Sequence, residues 1–411
     1  MSRTRNTYRG TALRCAATFA LAVLCLPSAQ ARGQSEATAG QEPCTVGSAP
    51  YGGRPWSLRR LPLNEIWEKS TTRGRGIRVA VIDTGVDARH PQLRDAVDPS
   101  RGRTLPLRGV PRGPVTNGTH DEVGHGTEVA GIIAARPRPG TGFVGLAPEA
   151  TIIPIDQNDA RGGGTPATLA QAIEHAMDQN ADIINISQDT ADTTDPPGLE
   201  RAVRAALRDD IVVIASAGNS GSDGTAKRTY PASYDGVLAV AAADRDNERA
   251  HFSQTGDFVG IAAPGTDIVS TFPGGGHCTD SGTSFSAPYV AGLAALLRGK
   301  HRGWTAAQVV TRIQQTAERP SPGPDALLGW GVADPLRALT DDARPAAGRA
   351  PRARTPDPLH APSGETPQER TVRLAVYVVT AGAVALATLT GTAVAVRDAR
   401  RRRRTPQDPG T

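Results

Sequence analysis

The chain has 411 residues, of which 38% are hydrophobic, and a formal net charge of +5. This length and composition fit a folded domain with flanking segments and exclude a disordered chain. The positive charge lies at the two ends, since residues 1–31 and residues 397–411 each contribute +4, which leaves −3 for residues 32–396. Nucleic-acid binding is therefore not expected, because it needs basic side chains gathered on the folded domain.

Residues 1–31 have the three parts of a secretory signal peptide. Four arginines precede the apolar run Cys15–Leu26, and a small-x-small site ends at Ala31, where we expect cleavage. The run is too short to span a bilayer comfortably. Export leaves two cysteines, Cys44 and Cys278, which most simply form a disulfide in an oxidising compartment. Two separate free thiols are the alternative.

Residues 32–57 form an N-terminal extension of small and polar residues without hydrophobic periodicity. The stretch Trp56–Trp67 then predicts a helix that packs on the core of the domain. Only about 45 residues separate the signal peptide from the first predicted strand, too few for an independent folded domain, because very short chains bury too little core.

The first predicted strand is the apolar run Ile77–Val86, in which Asp83 is followed by a break at Gly85. A buried parallel strand delivers such a carboxylate at its C-terminal end, where open α/β sheets bind ligands. Residues 98–120 are rich in arginine, proline and glycine and predict a surface loop nearby. His125, flanked by glycines, then opens an apolar helix. Taken alone, Asp83 is better explained as a turn former and His125 as a satisfied polar group.

Apolar strands alternate with helical patterns downstream of His125. The predicted strands are Thr151–Ile155, Ile183–Ile186, Ile211–Ala215 and Val237–Ala241. The predicted helices are Thr168–Gln179, Leu199–Arg208 and, after a capping box at Thr305–Gln308, Val309–Ala317. The alternation predicts an α/β fold with a mainly parallel central sheet and helices on both faces, in one domain over residues 58–340.

Two further polar residues lie on glycine-rich junctions. Asn219 follows an apolar strand, and Ser284 lies where a turn of small residues becomes the apolar helix that includes Tyr289. Each has a simpler explanation, as a turn residue or a helix N-cap. Together with Asp83 and His125, however, Ser284 completes the chain order Asp, His, Ser of a known catalytic triad.

This combination has a chemical reason. A serine hydroxyl is a poor nucleophile at neutral pH, so His125 must take its proton, and Asp83 must hold the imidazole in the right tautomer. The side chain of Asn219 and the backbone N–H of Ser284 can stabilise the oxyanion that forms when a carbonyl is attacked. The four residues therefore predict a serine endopeptidase.

The C-terminal part predicts a membrane anchor. Residues 341–371 contain many prolines and arginines and indicate an extended linker. Residues 372–396 include 23 consecutive uncharged residues, enough for a helix to cross a bilayer. The tail, residues 397–411, holds a block of arginines that predicts a cytoplasmic C-terminus. The sequence thus predicts a single-pass cell-membrane protein whose catalytic domain is extracellular.

The motifs around Asp83, His125, Asn219 and Ser284 resemble those of the subtilases, and the resemblance runs from about residue 76 to about residue 339. It implies a subtilisin-like fold and a substrate cleft flanked by Gly162, Gly163, Gly164 and Ser187. After Ser187, the chain has Gln188 and Asp189 where subtilases usually carry a small apolar residue and glycine. A broad apolar preference therefore does not carry over, and polar or basic selectivity stays open. We expect no cofactor and no metal, since the aspartates of residues 190–195 are explained as solvated turns.

The flanking segments narrow the resemblance to the mycosins, membrane-anchored subtilases associated with type VII secretion. The features that carry it are the signal peptide, the short extension with Cys44, the triad, and the C-terminal span with its arginine tail. The resemblance implies limited cleavage of secreted protein or peptide substrates and association with the type VII membrane complex. The rival hypothesis is a domain that serves mainly as a structural scaffold for that complex, because an intact triad does not exclude a structural role.

Overall fold

The computed structural model describes residues 44–105, 117–158, 163–188, 196–319 and 323–346. The predicted signal peptide, transmembrane helix and basic tail lie outside these residues, as do residues 32–43 of the extension and residues 347–371 of the linker. The loop predicted at residues 98–120 is described only in part. Among the helices of the described ranges, none combines the length and the apolar character needed to cross a membrane.

Nine strands and eight helices form the described part of the chain. The strands are β1 Arg78–Asp83, β2 Arg103–Thr104, β3 Thr151–Asp156, β4 Ile183–Ile186, β5 Val212–Ser216, β6 Leu238–Ala243, β7 Val259–Pro264, β8 Ile268–Phe272 and β9 Gly276–Asp280. The helices are α1 Trp56–Arg59, α2 Leu63–Ser70, α3 His125–Ala134, α4 Pro166–Asp178, α5 Pro197–Arg208, α6 Thr283–Lys300, α7 Ala306–Gln315 and α8 Pro335–Thr340. A short 3₁₀ helix lies at Gly221–Asp223.

The central sheet has seven strands in the order β2-β3-β1-β4-β5-β6-β7, and every pair is parallel. Alternate residues of β1 enter two separate cores, as the pleat of a strand requires. Val79 and Val81 belong to the core that includes residues of α3 and α6, whereas Ala80 and Ile82 belong to the one that includes residues of α4 and α5. The predicted parallel sheet with helices on both faces is confirmed.

The order of the strands explains where a ligand can bind. From β1 the chain passes through β2 and α3 to reach β3 on one side of β1, and then crosses back through α4 to reach β4 on the other side. Connections that reverse direction in this way leave a crevice at the carboxyl ends of the strands. Asp83, the last residue of β1, lies at this position.

The stretch Trp56–Trp67 forms two helices, α1 and α2, rather than the single predicted helix. Pro62 is the N-cap of α2, and a proline restricts the backbone of the residue before it, so one continuous helix cannot pass. The stretch nevertheless packs on the core as predicted. The indole of Trp67 donates to the carbonyl oxygen of Leu146 at 2.9 Å, and that of Trp56 donates to the carbonyl of Thr266 at 3.0 Å.

Strands β8 and β9 form an antiparallel hairpin outside the main sheet, which the sequence did not predict. The described end of the N-terminal extension lies along this hairpin. The backbone N–H of Gly47 donates to the carbonyl of Pro273 at 3.1 Å, and a disulfide joins Cys44 to Cys278. The structure therefore has the paired cysteines of the first hypothesis rather than two free thiols.

A neutral histidine supports the same contact. The N–H of Tyr51 donates to Nδ1 of His277 at 3.1 Å, and Nε2 of His277 lies 2.8 Å from Oε1 of Gln92. Burial lowers the pKa of His277 to about 4, so the ring accepts at Nδ1 and donates at Nε2 at neutral pH. The extension is thus held on the hairpin by a covalent bond and by hydrogen bonds.

Candidate active site

The buried Asp83 and the half-buried His125 form a hydrogen-bonded pair. Oδ1 of Asp83 lies 2.7 Å from Nδ1 of His125 and also accepts from the N–H of Thr84 at 2.8 Å. An ionised carboxylate can only accept hydrogen bonds, so Nδ1 carries the ring hydrogen and Nε2 is left to accept a proton. This is the tautomer that a catalytic base requires.

The charge around His125 favours its protonated form. Burial by itself lowers the pKa of His125, but the carboxylate of Asp83 and, more weakly, Glu128 and Asp121 raise it, and the net shift from 6.5 is upward. A positive charge that appears on the ring during proton transfer is therefore stabilised where it forms.

Two glycines allow α3 to start so close to β1. A Cβ atom at Gly126 would lie 2.0 Å from the carbonyl oxygen of Gly85 and 3.1 Å from Cβ of Asp83, so a side chain there would push the helix away. Gly124, the N-cap residue, has a φ of 99°, which L-residues with a side chain rarely adopt. The glycines that flank His125 in the sequence thus meet one steric and one conformational requirement.

Ser284 and Asn219 border one small space. The side-chain oxygen of Asn219 accepts from N and Oγ1 of Thr283, both at 2.9 Å. The amide NH2 group, Nδ2, is therefore the part of the Asn219 side chain that can donate. A Cβ atom at Gly282 would lie 2.9 Å from Oγ of Ser284 and 3.4 Å from Nδ2 of Asn219. The missing side chain of Gly282 therefore keeps open the space between these two polar groups.

The first turn of α6 lies beside the start of α3. The ring of Phe285, the residue after Ser284, has its centroid 5.3 Å from that of His125. The structure therefore places Asp83 against His125 and Asn219 beside Ser284, and the contact of Phe285 with His125 brings these two pairs next to each other.

Comparison with known proteins gives the family of this chain. The Subtilase family of peptidases (S8) matches residues 74–331, more than half of the chain. The chain belongs to the subtilase family. It is a hydrolase of the serine peptidase type, as the motifs predicted.

Relatives of this subtilase include a mycosin and several other proteases. It is 35% identical to mycosin-4 of Mycobacterium tuberculosis over 83% of its own length and 82% of that protein, so the predicted mycosin resemblance is confirmed. It is 40% identical to subtilisin E of Bacillus subtilis, with 66% of each chain covered. It is 39% identical to a thermostable alkaline protease of Halalkalibacterium halodurans, of which it spans 68%.

Solved structures give the same result. The MycP3 protease of the type VII (ESX-3) secretion system superposes with a TM-score of 0.63 at 35% identity, covering 74% of this subtilase and 94% of that chain. MycP1 from Mycobacterium smegmatis superposes with a TM-score of 0.63 at 30% identity, covering 77% and 92%.

The predicted substrate cleft is described in part. Gly163 and Gly164 are exposed, and Gly162 lies outside the described residues. Ser187 is buried, and its Oγ accepts from Nδ2 of Asn185 at 2.8 Å. The subtilase resemblance predicted that these glycines and Ser187 flank a cleft, but it did not indicate which residue connects the two sides.

A residue that the sequence analysis missed, Gln157, joins the two sides. Its amide hydrogen-bonds Oε1 of Gln188, and its Oε1 accepts from Oγ1 of Thr168 at 2.8 Å. A Cβ atom at Gly164 would lie 2.5 Å from the end of the Gln157 side chain. Gln157 carries no motif, and only its position after β3 could have indicated it. Amide groups thus lie beneath the glycine segment in this subtilase.

Glu128, one turn after His125, is buried and lies close to the disulfide. A carboxylate oxygen of Glu128 lies within 4.8 Å of the sulfurs of Cys44 and Cys278. Thiolates and a carboxylate can bind zinc, but these two sulfurs are joined to each other. Burial raises the pKa of Glu128 well above 4.5, so this group favours the neutral acid.

A second concave surface lies at the other end of the sheet. It encloses about 500 Å³ and includes Val212, Leu238 and Val259, the first residues of β5, β6 and β7. Because the sheet is parallel and Asp83 ends β1, this cavity lies at the opposite edge. None of the predicted catalytic residues lines it.

Proposed function

We propose that this subtilase is a serine endopeptidase in which Ser284 is the nucleophile, His125 the general base and Asp83 the residue that orients His125. The observation that carries the proposal is the 2.7 Å contact between Asp83 and Nδ1 of His125. It leaves Nε2 free to accept the serine proton next to the first turn of α6.

The reaction follows from these positions. As His125 removes its proton, Ser284 attacks a peptide carbonyl, and the oxyanion accepts hydrogen bonds from Nδ2 of Asn219 and the N–H of Ser284. His125 then gives the proton to the leaving amine, which breaks the peptide bond and leaves an acyl-enzyme. Water, deprotonated by His125, attacks the ester and releases the acid, and Ser284 regains its proton.

The place of action is the outer face of the cell membrane, and the substrates are proteins secreted through a type VII system. Similarity to mycosin-4 over 82% of that protein and to the MycP3 protease of such a system supports this part. The signal peptide, the apolar segment at residues 372–396 and the arginine tail predicted from the sequence agree with it. In this arrangement the cleavage site is held near the point where secreted chains emerge.

The test is labelling of the full chain, purified in detergent, with a fluorophosphonate probe. The wild type should be labelled, and Ser284→Ala should not. Ser286→Ala is a matched control, because Ser286 is buried on the same helix and its hydroxyl has no hydrogen-bond partner among the described residues. Labelling that persists in Ser284→Ala, or a folded wild type that is not labelled, would refute the proposal.

The same variant separates proteolysis from a scaffold role in cells. A proteolytic role predicts that Ser284→Ala changes the processing of secreted substrates to the same extent as deletion of the domain. Secretion and processing that survive the point change but fail on deletion would instead establish the scaffold.

A further inference from the structure

We infer that Asp121 is a positioning residue for the catalytic base, because its carboxylate fastens the start of α3 to the end of β1 and so fixes His125 against Asp83. This inference rests on the proposed function. The sequence analysis did not single out Asp121, which lies in the loop before α3.

Five hydrogen bonds converge on the buried Asp121 carboxylate. Oδ1 accepts from Oγ1 of Thr84 at 2.8 Å, from the N–H of Gly124 at 2.8 Å and from that of Val123 at 3.1 Å. Oδ2 accepts from N and Oγ1 of Thr127 at 2.8 and 2.7 Å. The side chain is 3% exposed, so these contacts stand in place of its hydration.

The contacts require the ionised form of Asp121. Oγ1 of Thr84 accepts from the N–H of Gly126, and Oγ1 of Thr127 accepts from that of Asp87, both at 2.9 Å. Each hydroxyl hydrogen is therefore directed at Asp121, and all five neighbours are donors. Burial raises the pKa of Asp121, but the hydrogen bonds from Gly124, Thr127 and Thr84 oppose this shift. A proton on the carboxyl would displace at least one of these five donors.

On the α3 side, the carboxylate of Asp121 caps the N-terminus of the helix. The N-cap residue, Gly124, has no side chain to accept the first N–H groups of the helix, which otherwise lack partners. Asp121 accepts from Gly124 and Thr127 and places a negative charge at the positive end of the helix dipole. The helix that begins with His125 is therefore anchored from outside.

On the β1 side, the anchor is Thr84, which directly follows Asp83. One carboxylate thus contacts the residue after Asp83 and the residue two positions after His125. Because it joins both sides, its loss frees the two partners of the 2.7 Å contact to move relative to each other. A displacement on the order of 1 Å at a reacting group can cost about a hundredfold in rate.

The charge of Asp121 acts on the titration of His125, which a loss of folded protein would not change. The acidic groups that act on His125 are Asp83 from β1, Asp121 from the preceding loop and Glu128 from α3, and Asp280 of β9 acts on Glu128 in turn. Removal of the Asp121 charge should make the His125 ring less basic. The pH at which the base becomes active should therefore fall, whereas a loss of folded protein alone would leave that pH unchanged.

The experiment compares Asp121→Asn with wild type in the full chain. The asparagine amide presents N–H groups to donors, so it cannot accept all five bonds. Glu122→Gln removes the neighbouring carboxyl, which is exposed and lies near His120, and serves as the matched control. The second-order rate of fluorophosphonate labelling is measured from about pH 5 to about pH 10, together with the thermal midpoint.

We expect Asp121→Asn to lose about 10- to 100-fold in labelling rate and to shift its rising pH limb downwards, while Glu122→Gln behaves as wild type. Thr84→Val removes the link to β1 and, with it, the acceptor of the Gly126 N–H, and should lose about three- to tenfold without a pH shift. If Asp121→Asn does not fold, the labelling rate of Thr84→Val tests the inference in its place. Folded variants that label within about twofold of wild type would overturn the inference. A wild type that is not labelled would instead refute the proposed function.

Discussion

A methyl group at Gly282 should inactivate the site without harming the fold. In Gly282→Ala the new Cβ would lie 2.9 Å from Oγ of Ser284, 3.4 Å from Nδ2 of Asn219 and 3.5 Å from the ring of Phe285. The first distance is shorter than real Cβ contacts allow, so the serine hydroxyl must move or the helix must shift. The methyl group also fills the space that Ser284 and Asn219 share.

The backbone does not oppose this substitution. Gly282 has φ 167° and ψ 158°, an extended conformation that alanine adopts freely. Replacing glycine by alanine at a compatible position stabilises a protein by about 0.4–1 kcal/mol, because the unfolded chain loses freedom. Loss of one oxyanion donor costs about 100- to 1,000-fold in rate. We therefore expect a labelling rate reduced by at least about 100-fold, with the free energy of unfolding unchanged within about 1 kcal/mol.

The assay is the rate of fluorophosphonate labelling, measured at a pH above which the rate no longer rises. Urea unfolding of the same samples gives the stability. Gly303→Ala is the control, since nothing lies within 4 Å of the Cβ position there, and it should label as wild type. Labelling of Gly282→Ala within about threefold of wild type would show that the group that reacts with Ser284 does not use the space beside it. A large loss of stability would show that the methyl group is not confined to that space.

Two predictions concern stability. Replacing Cys44 and Cys278 by serine should lower the free energy of unfolding by about 2–4 kcal/mol, because the bond joins residues 234 positions apart. A reductant should lower the urea midpoint of wild type to that of the variant and leave the variant unchanged. Equal urea midpoints of wild type and variant without reductant would contradict this prediction. Burial raises the pKa of Glu128, so the folded chain holds this proton more tightly than the unfolded chain, and stability falls as pH rises from about 4.5 towards the folded pKa. Glu128→Gln cannot ionise, so its free energy of unfolding should rise relative to that of wild type by up to about 1.4 kcal/mol per pH unit. Urea unfolding of both proteins at about pH 5 and about pH 8 measures this difference. A difference independent of pH would disprove the reasoning.

The parts of the fold that could be predicted are those in which one local signal dominates. Continuous β-branched runs such as Arg78–Asp83 indicate buried parallel strands because both faces are apolar. Strand β7, Val259–Pro264, was missed because its glycine and alanines carry little strand preference. The hairpin of Ile268–Phe272 and Gly276–Asp280 was missed because its pairing depends on neighbours that the sequence does not show.

The same distinction holds for the candidate site. Asp83, His125 and Ser284 could be predicted because each lies in a motif that fixes its surroundings locally. Asp121 could not, because its role depends on a hydroxyl that is 37 positions away in the chain. Gln157 is similar, since its contact with Gln188 exists only after the ends of β3 and β4, on either side of β1, reach the same edge of the sheet. Groups that act through distant partners leave no local pattern.

The disulfide between Cys44 and Cys278 also sets an order of events during synthesis. Its two ends are 234 positions apart, and a ribosome adds about 5–20 residues per second. Cys44 therefore waits about 10 to 50 seconds before its partner has been made. The segment that carries Cys44 cannot dock until the hairpin of β8 and β9 exists, so the first described residues of the chain are among the last to find their place.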